Sequence, residues 1–421
     1  MAHAHIGIAG AGLLGRLLAW QLLRAGHRVS VFDPAPGGHA PASGQISSGQ
    51  ITSAQIGSGL PDLARRPTPH AAAFTAAGML SPLAELEHAG PQIAALGWRS
   101  LLRWREITDA LAAAGPAAAT APLLRQHGSL LLAHASDLGA ARRCLDKLQQ
   151  PPAHAGAADW PQPQPLDAAA LQALEPALAP GLHGWLLPQE GQLLPRELMV
   201  ALWAGARQAQ WHWGCSVTEV APHRLQLADG RQLGFDLAID ARGTGAGAAL
   251  GPTRQVRGVR GELLWLHAPG LRLQRPLRLL HPRHRVYLVP RPGDLVVVGA
   301  SELESDDRSA VSLRSAVELM AAAHSVLPEL AEARIVHLES NLRPALPDNQ
   351  PHSQSEPGLL RINGLFRHGW LLAPALVDDA LAALALSHQP STALPAPATA
   401  PSVNQTHQAL HVSHPARRAP Q

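Results

Sequence analysis

Ile6-Gly7-Ile8-Ala9-Gly10-Ala11-Gly12-Leu13-Leu14-Gly15 is followed, after an apolar-periodic stretch to Ala25, by Arg28-Val29-Ser30-Val31-Phe32-Asp33. The short apolar run before Gly10 reads as a buried parallel strand, and Leu13 to Ala25 carries the apolar spacing of a helix. Gly10 allows a tight turn, Gly12 lets a pyrophosphate approach the backbone, and Gly15 lets the helix pack on the strand. The start of the helix offers unpaired N–H groups and the positive end of its dipole. Asp33 closes the second strand about 20 residues downstream, where a carboxylate accepts hydrogen bonds from an adenosine ribose. A glycine triplet alone is common in turns. Flanked by strand, helix, second strand and terminal acid, it predicts a dinucleotide site containing Gly10, Ala11, Gly12, Leu13, Leu14, Gly15 and Asp33.

The chain of 421 residues is long enough for two or three domain-sized units. Its 46% hydrophobic and 15% charged residues fit a globular protein, and 34 basic against 31 acidic side chains leave a net charge of only +3. Lys147 is the only lysine, and the arginines are scattered, with no basic run that predicts a nucleic-acid partner. Cys144 and Cys215 stand far apart, which argues against a disulfide framework or an iron–sulfur site and for a reducing compartment. The first strand begins a few residues after Met1, and no apolar run approaches the ~20 residues of a spanning helix. A cytoplasmic protein without membrane attachment is therefore expected. The 23 histidines lack metal-ligand spacing, so no metal site is expected.

Residues 34–70 are rich in Gly, Ser, Pro and Gln and repeat a short unit (Ser43-Gly44-Gln45-Ile46, Ser48-Gly49-Gln50-Ile51, Ser53-Ala54-Gln55-Ile56), which predicts a disordered insertion. Phe74 to Leu80 is a run of small residues suited to close packing on a ligand. Helical spacing recurs over 91–113, 136–148, 166–174, 195–208, 311–326 and 370–386. Strand-like runs cover 128–133, 215–220, 224–228, 237–240, 256–266, 286–290, 295–298, 335–342 and 359–362, with Asp229-Gly230 as a connecting turn. The tail 388–421 shows no periodicity and is expected to be disordered. Nucleotide-binding elements at both ends and antiparallel-sheet patterns in the middle predict an α/β protein: a Rossmann-type domain interleaved with a mixed, mainly antiparallel-sheet substrate domain.

Several further segments, in order, resemble the D-amino-acid-oxidase-like flavoenzymes, and within them the glycine oxidases linked to thiamine biosynthesis. They are Ala76-Ala77-Gly78-Met79, Glu190-Gly191-Gln192-Leu193-Leu194-Pro195, Asp240-Ala241-Arg242-Gly243 and Arg257-Gly258-Val259-Arg260-Gly261-Glu262. Tyr287-Leu288-Val289-Pro290-Arg291 with Val298-Gly299-Ala300-Ser301-Glu302 follows, then Leu342-Arg343-Pro344 and Gly364-Leu365-Phe366-Arg367-His368-Gly369. The resemblance covers about residues 4–385 apart from the 34–70 insertion. Leu365, Ser301 and Asn341 depart from it, standing where relatives often carry histidine, threonine and glycine.

The resemblance implies noncovalent FAD, held additionally by Ala77, Gly78, Met79, Val217, Gly243, Gly369 and Trp370. It implies hydride transfer from the Cα of a small amino acid to the flavin N5, hydrolysis of the imino acid, and reduction of O2 to hydrogen peroxide. Arg343 is implied as the carboxylate anchor, Tyr287, the only tyrosine, as a second donor to that carboxylate, and Arg367 as a charge near the amine side and flavin rim. A homo-oligomer is also implied. The domain boundaries expected are 1–33, 71–90, 185–255 and 340–387 for the FAD-binding domain and 91–184 and 256–339 for the substrate domain. A D-amino-acid dehydrogenase with a non-oxygen acceptor, the oxidase domain of a tRNA-modifying protein and a non-catalytic flavin-binding protein remain as alternatives.

Overall fold

In a computed structural model, residues 3–37, 70–114, 121–149, 160–280 and 285–386 are described. The expectations for the tail 388–421, and for all of the 34–70 insertion except 34–37 and 70, fall outside the described residues. The opening motif folds as read. His5–Ala9 is a strand buried from Ile6 onward, Leu13–Arg24 is an α-helix, and Arg28–Asp33 returns parallel to the first strand. Two of the three glycines are required by the backbone. Gly10 has φ +101°, and a Cβ there would stand 2.5 Å from the Ala241 carbonyl oxygen; a Cβ on Gly15 would stand 1.8 Å from the Gly10 carbonyl oxygen.

The first strand lies inside a six-stranded sheet in the order His352–Glu356, Leu359–Asn363, Leu237–Asp240, His5–Ala9, Arg28–Asp33, Gln210–Trp213. Every pairing is parallel except that of the outer His352–Glu356 strand. Gln210–Trp213 was not foreseen. It alternates polar residues with tryptophan at the sheet edge, so it lacks the continuous apolar run of a buried parallel strand.

Ile6, Ile8, Leu17, Leu18 and Leu22 join Leu372 and Val377 of the helix Gly369–Ala383 in the core of this layer. The expected boundary at residue 90 assigns the helix Pro91–Ala114 to the substrate domain. Its buried Ile93, Leu101, Trp104, Ile107 and Leu111 instead fill this same core, and Trp104 Nε1 donates to the Trp370 carbonyl at 2.6 Å. The apolar spacing identified the helix, but no pattern within it says which sheet it covers.

The second layer is an eight-stranded sheet in the order Arg334–Ala345, Arg257–His267, Leu295–Gly299, Arg285–Arg291, Leu277–Leu280, Ser129–Ala133, His183–Leu187, Gln164–Leu166. It is antiparallel except where Leu277–Leu280 meets Ser129–Ala133. One face carries Leu264, Leu266, Leu277, Leu279, Val296 and Val298 against the helix Leu313–Val326, which Ser312 caps by accepting from the Ser315 N–H. The opposite face, with Leu263, Tyr287, Val289 and Val297, packs on Ala77 and Met79. That contact brings the second sheet to the edge of the Rossmann-type layer. The Asp229-Gly230 turn lies in a small antiparallel sheet, between Arg224–Leu227 and the unforeseen short strand Gln232–Gly234.

Candidate active site

A cleft of about 1530 Å³ opens between the two layers and extends to Ser312, Ser315 and Glu318 on the helix side of the second sheet. Typical small-molecule sites enclose roughly 300–1,000 Å³, so this one has room for a dinucleotide and a small substrate together. It is lined by Gly10, Gly12, Leu13, Leu14, Asp33, Val217 and Gly243. Ala77, Gly78, Met79, Gly369 and Trp370 also line it, as do Tyr287, Arg343 and Arg367. Two predicted residues do not line it. The Ala11 N–H donates to Asp33 Oδ2 at 2.6 Å, and Gly15 lies against the Gly10 carbonyl, so both shape the turn behind the cleft wall.

The residues fit an anionic dinucleotide. A Cβ on Gly12 would meet nothing closer than the Ala71 Cβ at 3.7 Å, so the protein itself leaves that side open. Neither Leu13–Arg24 nor Gly369–Ala383 has a side chain capping its N-terminus, and both helices start on the cleft wall. A Cβ on Gly369 would meet nothing within 4 Å. Asp33 is fixed at the strand end, its Oδ1 accepting from the Ala35 N–H at 2.9 Å. By contrast Gly78, at φ +68°, is needed by the fold, since a Cβ would stand 2.6 Å from Pro195 Cγ.

In the second sheet, glycines make room for the Arg343 and Tyr287 side chains. The Arg343 guanidinium lies over Gly261, where a Cβ would come within 2.5 Å of it, and the Tyr287 hydroxyl lies over Gly299, within 2.6 Å of a Cβ there. A glycine inside a strand marks such close approaches. Arg343 Nη1 donates to the carbonyls of Ser301 at 3.0 Å and Arg260 at 3.4 Å, and no carboxylate among the described residues pairs with it. Burial pushes the Tyr287 hydroxyl above its ordinary range, against the opposing pull of Arg343 and Arg291.

Arg367 is differently placed from Arg343. Its Nη2 donates to Glu85 Oε2 at 2.8 Å, and His368 Nε2 lies 2.9 Å from the same oxygen. It therefore enters the cleft as half of an ion pair. Glu85 carries no motif spacing, and its partner lies 282 residues away, so sequence reasoning missed it.

A second unforeseen cluster joins the layers. Glu339 accepts from Thr75 Oγ1 at 2.7 Å and from Arg196 Nη2 at 2.8 Å, and Asn341 Nδ2 donates to Thr75 Oγ1 at 3.0 Å. Burial alone would raise the Glu339 carboxyl, but hydrogen bonds from His70 and Thr75 with the charge of Arg196 hold it at about 2. Glu339, Asn341 and Arg343 alternate along one strand, so this cluster ties the Arg343 strand to the segment entering Ala76-Ala77-Gly78-Met79. No group of three or more His, Cys, Asp or Glu among the described residues could hold a metal, and no described helix is long and apolar enough to cross a membrane.

A Rossmann-type nucleotide layer facing a mixed sheet across such a cleft defines the architecture of the flavin-dependent amine oxidoreductases. The FAD dependent oxidoreductase family matches residues 5–383, and the chain belongs to that family. It is 33% identical, over 88% of its length and 94% of the relative's, to a Rhizobium etli protein named as a thiamine biosynthesis oxidoreductase, ThiO. It is 28% identical to a glycine oxidase of Geobacillus kaustophilus over 48% of this chain and 56% of that one. The crystal structure of glycine oxidase from Geobacillus kaustophilus shares the fold at a TM-score of 0.70 and 23% identity, covering 91% of this chain and 95% of that one. An iminodiacetate oxidase from Chelativorans sp. BNC1 also shares it, at a TM-score of 0.68 and 21% identity, covering 90% and 95%. The protein is an FAD-dependent oxidoreductase of mixed α/β fold.

Proposed function

We propose that the protein oxidises the CH–NH unit of a small amino acid of the glycine type, whose amine is primary or secondary. Two electrons and two protons leave that unit, O2 is reduced to hydrogen peroxide, and water hydrolyses the imino acid unless a thiazole-forming step consumes it. The observation that carries this reading is Arg343, a cleft-lining arginine beside the single tyrosine with no carboxylate partner among the described residues. A planar guanidinium in that state suits a substrate carboxylate through two parallel hydrogen bonds. The names of the relatives, thiamine biosynthesis oxidoreductase and glycine oxidase, support the same substrate class.

FAD, when bound, supplies the two-electron acceptor. On this reading Gly12 and the two uncapped helix starts hold its phosphates, Asp33 its ribose, and Ala77 to Met79 with Gly369 and Trp370 its ring system. Arg343 and Tyr287 fix the carboxylate and so orient Cα. Arg367, neutralised by Glu85, shapes the rim without competing for that carboxylate. Cys144, the cysteine on the cleft, is buried and its thiol is pushed up to about 12, which supports noncovalent attachment.

The test is peroxide release by the purified yellow protein against glycine, sarcosine and small D-amino acids, with anaerobic flavin bleaching in parallel. Bleaching without peroxide would indicate a non-oxygen acceptor. Bound flavin that no amino acid bleaches would overturn the reading.

A further inference from the structure

The geometry points to Arg278 as an anchor for a second carboxylate, so that the preferred substrate is a small amino acid carrying two carboxylates. This rests on the reading of the cleft as an amino-acid oxidase site and narrows its substrate class.

Leu277 and Leu279 point into the core against the helix Leu313–Val326, which turns Arg278 to the opposite face of the sheet. That face is the cleft. Arg278 pairs in register with Tyr287, and Tyr287 pairs with Gly299, so the three form a row across adjacent strands. Directly opposed residues share a face and lie about 5 Å apart. Tyr287 thus stands between the Arg343 guanidinium on one side and Arg278 on the other.

The state of Arg278 is unusual for an arginine so enclosed. Its side chain is 14% exposed, yet it donates no hydrogen bond among the described residues. Its nearest acids are Glu87 at 3.6 Å and Glu85 at 4.0 Å. Both have closer partners: Glu85 holds Arg367 at 2.8 Å and His368 at 2.9 Å, and Glu87 holds His88 at 2.8 Å. A guanidinium presents five donors in a fixed fork, and the two acids at 3.6 and 4.0 Å pair with Arg278 by charge without accepting a hydrogen bond, so its donors remain available to an anion in the cleft.

Charge extends the pattern. Lys147 and Arg143 line the same arm of the cleft, and neither pairs with a carboxylate among the described residues; Lys147 Nζ reaches only the Glu87 carbonyl, at 3.3 Å. Glu85 and Glu87 also line this arm, but against Arg278, Arg143, Lys147 and Arg367 they leave it net positive, and a substrate with one carboxylate, held by Arg343, would not offset that excess. A substrate with two would use both Arg343 and this arm. The second carboxylate can be carried on the nitrogen, as in iminodiacetate, or on the side chain, as in D-aspartate.

The experiment uses the FAD-loaded protein and reads flavin absorbance during titration with acetate, malonate and succinate, none of which can be oxidised as an amine. Charged hydrogen bonds of about 1.5–3 kcal/mol predict that the better dicarboxylate binds at least about tenfold tighter than acetate. Arg278→Gln is expected to bring that ratio to within about threefold, and Arg278→Lys to restore part of it. Kinetics with glycine, iminodiacetate, D-aspartate and D-glutamate should show the diacid-to-glycine ratio of kcat/KM falling at least tenfold in Arg278→Gln, and they identify which diacid is used.

Equal binding of acetate and both dicarboxylates, or a dicarboxylate preference that survives Arg278→Gln, would overturn the anchor even if glycine is oxidised. An Arg278-dependent dicarboxylate preference with no amino acid oxidised would keep the anchor and overturn the oxidase reading instead.

Discussion

Two cleft-lining side chains answer to different physics although both are arginines. Arg367 spends its charge on Glu85, while Arg343 meets only carbonyl oxygens. Arg343→Ala is therefore expected to lower kcat/KM for the accepted amino acid at least a hundredfold, about 3 kcal/mol, because truncating one partner of a buried charge pair typically costs 2–5 kcal/mol. Arg343→Lys should recover only part, since an ammonium cannot make the two-pronged contact. The flavin spectrum should survive both changes; near-normal kcat/KM in Arg343→Ala would remove it from the site. Gly261→Ala tests the same position without touching the charge. Its Cβ would come within 2.5 Å of the guanidinium, the movable end of a long side chain. Turnover should fall at least tenfold with little change in Tm, and unaltered turnover would show that the placement of Arg343 is not critical. Both arginines and Tyr287 stood out in the sequence as candidates because they sit inside ordered motifs, and all three line the cleft. Glu85, Glu339 and Arg278 did not, because their meaning lies in partners brought close by folding from distant parts of the chain.

Among the elements, the opening βαβ unit was the most legible, since strand, turn and helix each have a local signal and the signals agree. Its glycines now separate into two kinds. Gly12→Val should leave secondary structure intact and abolish FAD binding, because the protein around Gly12 is open and only a bound phosphate would meet the new side chain. Gly15→Val should disrupt the fold itself, because a Cβ there would stand 1.8 Å from the Gly10 carbonyl oxygen and the backbone has no room to yield. Far-UV circular dichroism beside flavin absorbance distinguishes them, and a Gly12→Val protein that binds FAD normally would move the phosphate site elsewhere. Other elements were readable in type but not in place. Pro91–Ala114 shows clear helical spacing, yet its assignment to the first sheet depends on contacts such as Trp104 with Trp370. The edge strand Gln210–Trp213 is half exposed and so short that its pairing with Arg28–Asp33, rather than its composition, makes it a strand.

At the scale of the whole molecule, the buried carboxyl groups of Glu339 and Glu190 have pH dependences that oppose one another. Glu339, held at about 2 in the folded protein against an ordinary 4.5, stabilises the fold above about pH 4.5 and loses that contribution as pH falls towards 2. Glu190 is the reverse case. It is fully buried beside the strand Gly191–Leu193, which pairs with Met79–Leu80 on the cleft, and burial pushes it up from 4.5 to about 7. Below pH 4.5 both folded and unfolded chains carry it protonated, so it contributes nothing there. Between 4.5 and 7 the unfolded chain ionises first, and stability falls as pH rises. Above 7 a constant penalty of about 3 kcal/mol remains, by the conversion of about 1.4 kcal/mol per pKa unit. Glutamine fits the same place, because its carbonyl can accept from the Ala84 N–H and its amide can donate to Ser129 Oγ. Glu190→Gln is therefore expected to be more stable than the parent at pH 8, by up to that amount, with the advantage shrinking through pH 7 to 4.5 and then vanishing. Urea unfolding at pH 4.5, 6 and 8 measures it. Glu175, also pushed up by burial to about 7, retains its own penalty in the variant, so the neutral limb should flatten without disappearing. A Glu190→Gln protein less stable than the parent at pH 8 would mean that the carboxylate's hydrogen bonds to Ser129 and Ala84 outweigh the cost of burying its charge.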